Sequence, residues 1–152
     1  MMRAYIDTNI LFDLVLSLED FLQDAQRIFA LGYAGDAQLM VSALSFVNTV
    51  YLGKKYKFPA EEIMSKLRMI ADFVEVVDLR GQNVVDMLES GWKDYEDATQ
   101  HRSAVEEQAD CIVTRNKILW LRTDRHHFRQ GQRDRSRRLL RPQRPPHERE
   151  AD

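Results

Sequence analysis

The stretch DYEDATQHRSAVEEQADCIVTRNK, from Asp94 to Lys117, carries the clearest structural signal in the chain. Its first half is acidic and polar, as expected of a solvent-facing helix, and its second half contains the apolar run CIV followed by the polar residues TRN. A helix that leads into a buried strand with polar residues after it is a usual unit of an α/β fold. The pattern stops after Lys117, so the same stretch predicts where the regular domain ends.

The sequence before this stretch alternates short apolar runs with longer amphipathic segments. Strands are predicted at 3–7, 38–42, 74–78 and 110–114, and helices at 19–33, 43–55, from Pro59 onward, at 81–90 and at 95–108. Strands separated by helices of this length imply crossover connections and therefore a mostly parallel sheet covered on both faces. We expect an α/β fold of three layers, an α/β/α sandwich with a mostly parallel central sheet.

Composition fits one domain in a reducing compartment. The chain has 152 residues, 44% of them hydrophobic, which is enough for one core. Its single cysteine, Cys111, cannot form an internal disulfide and lies in an apolar run, so a buried structural thiol is expected rather than a catalytic one. Asp7 and Asp13 interrupt the apolar N-terminal segment, which argues against a signal peptide, and no membrane span is predicted. A cytoplasmic location is the resulting expectation.

Two groups of acidic residues are candidates for a site. In parallel sheets ligands bind at the carboxyl ends of the strands, and Asp7 follows the first strand. A role as the N-cap of the next helix explains Asp7 about as well as a catalytic role does. Asp94, Asp97 and His101 are spaced to share one helix face, although acids in a first turn also commonly complement the helix dipole. His101 is expected to be a partly buried helix residue rather than a ligand.

The acidic groups together would favour a divalent cation. Two carboxylates about 4 Å apart repel by roughly 4 kcal/mol at an effective dielectric constant near 20. A cation removes this repulsion, and oxygen ligands without a His or Cys cluster favour Mg²⁺ or Mn²⁺ over zinc. We therefore expect Asp7 and Asp97, supported by Asp94, to hold Mg²⁺ or Mn²⁺. Supporting polar residues are expected at or near the strand ends: Thr8, Asn9, Asn48, Thr114 and Asn116.

Three segments of the chain resemble the PIN domain family, which includes the VapC-type toxin ribonucleases: YIDTNILFDL at 5–14, VSALSFVNTVY at 41–51, and the stretch from Asp94 to Lys117. The resemblance covers residues 3–117. It implies a metal-dependent endoribonuclease, the toxin of a toxin–antitoxin pair, with RNA and an antitoxin as partners, and it allows a homodimer. It also implies that Asp7 and Asp97 belong to an acidic set around Mg²⁺ or Mn²⁺.

The sequence departs from the family pattern at two acidic positions. Asn48 stands where many members have a helix glutamate, and Asp94 is the expected compensation. After TRNK the family continues with DF, whereas this chain has Ile118 and Leu119, so the fourth acid is missing. We therefore expect impaired activity, and we expect the last strand and helix of the fold to be absent.

The segment 118–152 differs in charge from the body of the chain. Residues 1–116 carry 11 basic and 19 acidic groups, net −8, whereas residues 117–152 carry 11 and 5, net +6. Three origins are open: a basic RNA-binding extension, a frameshift, or a cloning artefact. With suitable codons, a reading one base away turns ILWLRTDR into DFVASDR, which restores the family's NKDF. The predicted organisation is a nuclease domain at 1–117 and an Arg-rich tail, disordered or frameshifted, at 118–152.

Two other functions compete with the ribonuclease. The tail could bind RNA without hydrolysis, because arginine neutralises phosphates regardless of base sequence. A receiver-like signalling module is the other alternative, since Asp7, Thr114 and Lys117 superficially resemble a phosphoacceptor site. That alternative lacks the paired acids expected after the first strand.

Overall fold

A computed structural model describes residues 1–115 and 117–121 of the chain. The elements, in chain order, are β1 (Met2–Ile6), α1 (Thr8–Val15), α2 (Glu19–Tyr33), β2 (Ala37–Ser42), α3 (Ala43–Lys55), α4 (Ala60–Ala71), β3 (Glu75–Val77), α5 (Gly81–Glu89), α6 (Tyr95–Glu106), β4 (Cys111–Thr114) and β5 (Lys117–Trp120). Within the described residues, no helix is both long and apolar enough to span a membrane.

The five strands form one sheet in the order β3-β2-β1-β4-β5. The first four strands are parallel to their neighbours, whereas β5 pairs with β4 in the antiparallel direction. β1 lies in the middle, flanked by β2 and β4, so the carboxyl ends of these three strands meet at one edge. The predicted mostly parallel sheet is confirmed.

Side chains of the central strands alternate between two hydrophobic clusters, one on each face of the sheet. Ala4 and Ile6 of β1 join the larger cluster, to which α1, α2 and α4 contribute, whereas Tyr5 between them joins the smaller one beneath α6. This alternation follows from the two-residue period of a strand. Helices on both faces complete the predicted α/β/α sandwich.

The close approach of α2 to β2 depends on Gly32. A Cβ atom at this position would lie 2.6 Å from Leu39 Cδ1, which is closer than carbon atoms pack. Any larger residue would therefore require the Leu39 side chain or the helix to move.

Cys111 lies in β4 at the centre of this core. The residue is buried, as predicted for a structural thiol. Burial, with a smaller contribution from the charge of Asp110, raises the pKa of Cys111 to about 12. The side chain therefore stays a protonated thiol at neutral pH.

Residues that the sequence analysis assigned to the tail form a fifth strand. Residues 117–120 form β5, in which Ile118 lies opposite Val113 and packs against the larger core cluster. Ile118 is apolar enough to continue the sheet, so the described sheet extends past Lys117. The absent last helix, and the disordered or frameshifted tail beyond Leu121, are predictions that lie outside the described residues.

Candidate active site

Asp7 lies at the edge of the sheet where the carboxyl ends of β1 and β4 meet. Its backbone N–H donates to the Val113 carbonyl at 3.0 Å, which fixes the turn out of β1. Asp7 precedes α1 as its N-cap residue, but in the described structure its carboxylate accepts no capping hydrogen bond from that helix. The N-cap interpretation therefore explains the position of Asp7 but not its carboxylate.

The Asp7 carboxylate is nine-tenths buried and points to α6. Gln100 Nε2 donates to Asp7 Oδ1 at 3.0 Å, and Asn9 Nδ2 makes a longer bond to Oδ2 at 3.4 Å. The same Gln100 nitrogen lies 3.5 Å from Glu96 Oε1. One side-chain amide thus holds two carboxylates, Asp7 and Glu96, on either side of itself.

Glu96 is the acidic residue that the sequence interpretation overlooked. Burial raises the pKa of its carboxyl, and the Thr8 hydroxyl beside it offsets part of the rise. The negative charges of three neighbouring carboxylates raise the same pKa further: Asp7, Asp94 and Asp97. Glu96 is therefore the centre of an acidic cluster in which like charges repel.

Asp94 and Asp97 lie at the N-terminus of α6. Asp94 is the N-cap residue, and its Oδ1 accepts a hydrogen bond from the Asp97 N–H at 3.0 Å. Asp97 is exposed in the first turn and has a polar interaction of its own. Asp94 therefore caps α6, and both residues lie close enough to influence the pKa of Glu96.

The face of α6 that meets Asp7 differs from the predicted one. The sequence interpretation placed Asp94, Asp97 and His101 on one functional face, whereas Glu96 and Gln100, one turn apart, are the residues beside Asp7. His101 packs against the Trp92 ring, with centroids 5.2 Å apart. His101 is partly buried, as expected for a helix residue that is not a ligand.

The supporting polar residues fall into two groups. On the α3 side, the Thr8 hydroxyl bonds Ser45 Oγ at 2.6 Å, and Asn48 lies one turn farther along the same helix. On the other side, Thr114 ends β4 and is half-buried. Asn116 lies outside the described residues.

A cavity of about 250 Å³ opens beside the acidic cluster, between α3, α5 and α6. Its wall includes Glu96 and Gln100, which it shares with the cluster, and Asn48 from α3. At its inner end is Tyr5 of β1, whose phenol is fully buried. Burial raises the pKa of Tyr5, and the neighbouring Ser103 and Ser42 hydroxyls partly offset that rise, so the phenol is neutral at physiological pH.

A buried ion pair holds the segment after β4 against α1 and α2. Arg115 donates from Nε to Asp13 Oδ2 at 3.0 Å and from Nη2 to Oδ1 at 2.5 Å, and its guanidinium lies 4.2 Å from the Phe21 ring centroid. Hydrogen bonding to Asp13 raises the pKa of Arg115, and the charge of Asp7 adds to this. Asp13, treated in the sequence only as an interruption of an apolar run, is completely buried.

Comparison with known proteins decides the family. The PIN domain family model matches residues 3–118, about three-quarters of the chain. The chain belongs to the PIN domain family. The resemblance inferred from the three sequence segments is thereby confirmed, and no curated protein matches the chain.

Solved structures similar to this PIN domain include the toxin VapC20, VapBC2 and a toxin–antitoxin complex. The Mycobacterium tuberculosis toxin VapC20, described as cleaving the sarcin–ricin loop, superposes with a TM-score of 0.57 at 14% identity, over 72% of this chain and 86% of that one. VapBC2 from Rickettsia felis, bound to a promoter DNA fragment, superposes with a TM-score of 0.54 at 18% identity. The match covers 74% of this chain and 86% of that one. A toxin–antitoxin complex from Klebsiella pneumoniae superposes with a TM-score of 0.52 at 25% identity. The match covers 74% of this chain and 86% of that one.

The oxygen atoms of the acidic cluster have the right chemistry to bind a hard divalent cation. Carboxylates and an amide oxygen suit Mg²⁺ or Mn²⁺, and the crowding of like charges around Glu96 would be relieved by a cation. Within the described residues, however, no three His, Cys, Asp or Glu side chains are arranged around one point as a ready metal site. The donor set therefore fits by chemistry, with Gln100 standing between the carboxylates of Asp7 and Glu96.

Proposed function

We propose that this PIN domain is a ribonuclease that uses Mg²⁺ or Mn²⁺ and acts as the toxin of a toxin–antitoxin pair. The single observation that carries the proposal is the pair of carboxylates, Asp7 and Glu96, held on either side of the Gln100 amide at the carboxyl edge of the sheet. The family membership and the VapC neighbours support the same activity. An antitoxin partner is supported by the neighbours solved as toxin–antitoxin complexes, and a cytoplasmic homodimer is part of the proposal.

Asp7 and Asp97, with Asp94 in support, are the proposed ligands, and Glu96 joins them. Glu96 faces the same cavity as Asn48, so it supplies a charged oxygen where α3 offers a neutral one. When bound, the cation supplies charge stabilisation for the phosphoryl oxygens during cleavage. Gln100 would then orient Asp7, and Asn48 can position a water molecule through its amide oxygen.

Low activity is part of the proposal. The family's acid after the fourth strand would stand at Ile118, but this side chain packs against the hydrophobic core in β5. It therefore cannot be replaced by a charged ligand without loss of packing. The family membership disfavours a receiver-like module. RNA binding through the Arg-rich tail concerns residues outside the described part of the chain.

The experiment is a cleavage assay on single-stranded RNA with Mg²⁺, Mn²⁺ or EDTA. The parent protein should cleave slowly with either metal and not in EDTA, and Asp7→Asn should abolish cleavage. The matched control is Asp36→Asn, which changes an exposed acid at the opposite edge of the sheet and should cleave like the parent. Metal-independent cleavage, or equal cleavage by both variants, would contradict the proposal.

A further inference from the structure

Two buried polar atoms at the cavity have no hydrogen-bond partner among the described residues: the Tyr5 hydroxyl and Gln100 Oε1. Their residues are 0% and 8% exposed. Because the Asp7 carboxylate only accepts hydrogen bonds, the Gln100 NH₂ group must face it, and this fixes Oε1 as a free acceptor. Buried polar atoms are rarely left unpaired, so both atoms indicate a missing polar occupant.

The hydroxyls of Ser42 and Ser103 do not supply a hydrogen-bond partner for the Tyr5 hydroxyl. Ser42 Oγ accepts the N–H of Leu44 as the cap of α3, and Ser103 Oγ accepts from Asn83 Nδ2. Both hydroxyls lie beside Tyr5 but outside hydrogen-bond geometry with it. The inner end of the cavity therefore presents one phenol and two serine hydroxyls, each able to donate.

The charge of the lining excludes a phosphate as the occupant. None of the described residues that line the cavity is Lys or Arg, and Glu96 would repel an anion. The lining instead combines neutral donors and acceptors with apolar side chains, including Leu44 and Met87. This combination matches a flat heteroaromatic ring with polar edges.

The volume of the cavity and the exposed ring of Tyr95 further restrict which ligand could bind there. The volume of about 250 Å³ is below the roughly 300–1,000 Å³ of sites for drug-sized ligands, so one base fits better than a longer stretch of nucleic acid. Tyr95 lines the cavity while its ring is 60% exposed, which leaves a face for stacking. Single-stranded RNA is commonly recognised through unstacked bases held by aromatic rings and edge hydrogen bonds.

We propose that this cavity binds one nucleobase of the RNA substrate, with Gln100 Oε1 accepting from a base N–H and the Tyr5 hydroxyl bonding another edge atom. The proposal rests on the proposed ribonuclease function of the adjacent acidic cluster. Because Gln100 contacts both Asp7 and the cavity, a seated base would place its own backbone phosphate next to the carboxylates. Gln100 would thus couple base binding to the orientation of Asp7.

The test uses the full chain in EDTA, with the four ribonucleosides and free ribose as probes. Titration is followed by the NMR signals of the Gln100 side-chain amide. At least one nucleoside should bind saturably, ribose should not, and Tyr5→Phe should weaken binding by about three- to tenfold through loss of one hydrogen bond. The matched control Tyr33→Phe removes an exposed hydroxyl on α2 and should bind like the parent.

The outcomes separate this inference from the proposed function. A cavity that holds only water would give no saturable nucleoside binding, and this result would overturn the inference even if metal-dependent RNA cleavage were found. Equal nucleoside affinities of Tyr5→Phe and Tyr33→Phe would also overturn it. Nucleoside binding without any RNA cleavage would instead reject the ribonuclease function and leave the cavity as a base-binding site.

Discussion

At the scale of single residues, Glu96 combines a raised pKa with three acidic neighbours. A carboxyl whose pKa is higher in the folded protein than in the unfolded chain contributes stability below its unfolded pKa, near 4.5, and loses that contribution as the pH rises through the folded pKa. In EDTA at pH 7, Glu96→Gln should therefore raise the Tm. The gain should shrink as the pH falls toward 4, and thermal scans at both pH values measure it.

Glu61→Gln is a suitable control for this prediction. Glu61 lies in the first turn of α4, where a negative charge favours the helix dipole, so its neutralisation should lower the Tm slightly. A lower Tm for Glu96→Gln at pH 7 in EDTA would show that the acidic cluster is not strained by repulsion.

The candidate site was predictable in part from the sequence. Asp7 could be found because a carboxylate after an apolar strand stands at the ligand-binding edge of a parallel sheet. Glu96 and Gln100 were missed because an offset of one residue, about 100° around the axis of α6, changes which residues face the sheet. The pairing of Asp13 with Arg115 spans a sequence separation of 102 residues, which no local pattern indicates.

At the scale of elements, the Asp13–Arg115 pair connects the end of β4 to α1. Removal of one partner leaves a buried charge without compensation, at a typical cost of 3–5 kcal/mol. The Arg115 side chain is 35% exposed, so solvent reduces the effect, and we expect Arg115→Met to lower the free energy of unfolding by about 2–3 kcal/mol. Urea denaturation measures the change.

Arg27→Met provides the matched comparison for this element-scale prediction. Arg27 pairs with Asp24 within α2, at the surface and one turn apart, and such pairs contribute about 0.3–0.5 kcal/mol. Equal losses in the two variants would mean that the Asp13–Arg115 pair does not tie β4 to the helices.

Most elements were predictable because their hydrophobic periods are regular. Five helices and four strands lie within one or two residues of their predicted positions. α1 was not assigned, because its eight residues are too few to show a clear helical period. β5 was not predicted because the sequence departs from the family pattern after Lys117, although KILW is apolar enough for a strand.

At the scale of the whole molecule, the described sheet includes β5, and Leu121 follows this strand directly. Ile118 packs on one face of the sheet and Leu121 on the other, and the Leu121 N–H donates to the Asp110 carbonyl at 3.0 Å. A chain that ends at residue 116 should be less stable than one that ends at 121 by about 2 kcal/mol, from lost burial and strand hydrogen bonds. This corresponds to a Tm several degrees lower in calorimetry, whereas equal Tm values would restore the predicted boundary at Lys117.

The proposed function depends most on whether the acidic cluster binds a divalent cation. Calorimetric titration of Mn²⁺ into the parent protein, Asp7→Asn and Asp36→Asn tests this directly. We expect one saturable site in the parent and in Asp36→Asn, and at least tenfold weaker binding in Asp7→Asn, because a buried carboxylate ligand has lost its charge. Identical Mn²⁺ affinities for the parent and Asp7→Asn would contradict the assignment of this edge as the metal site.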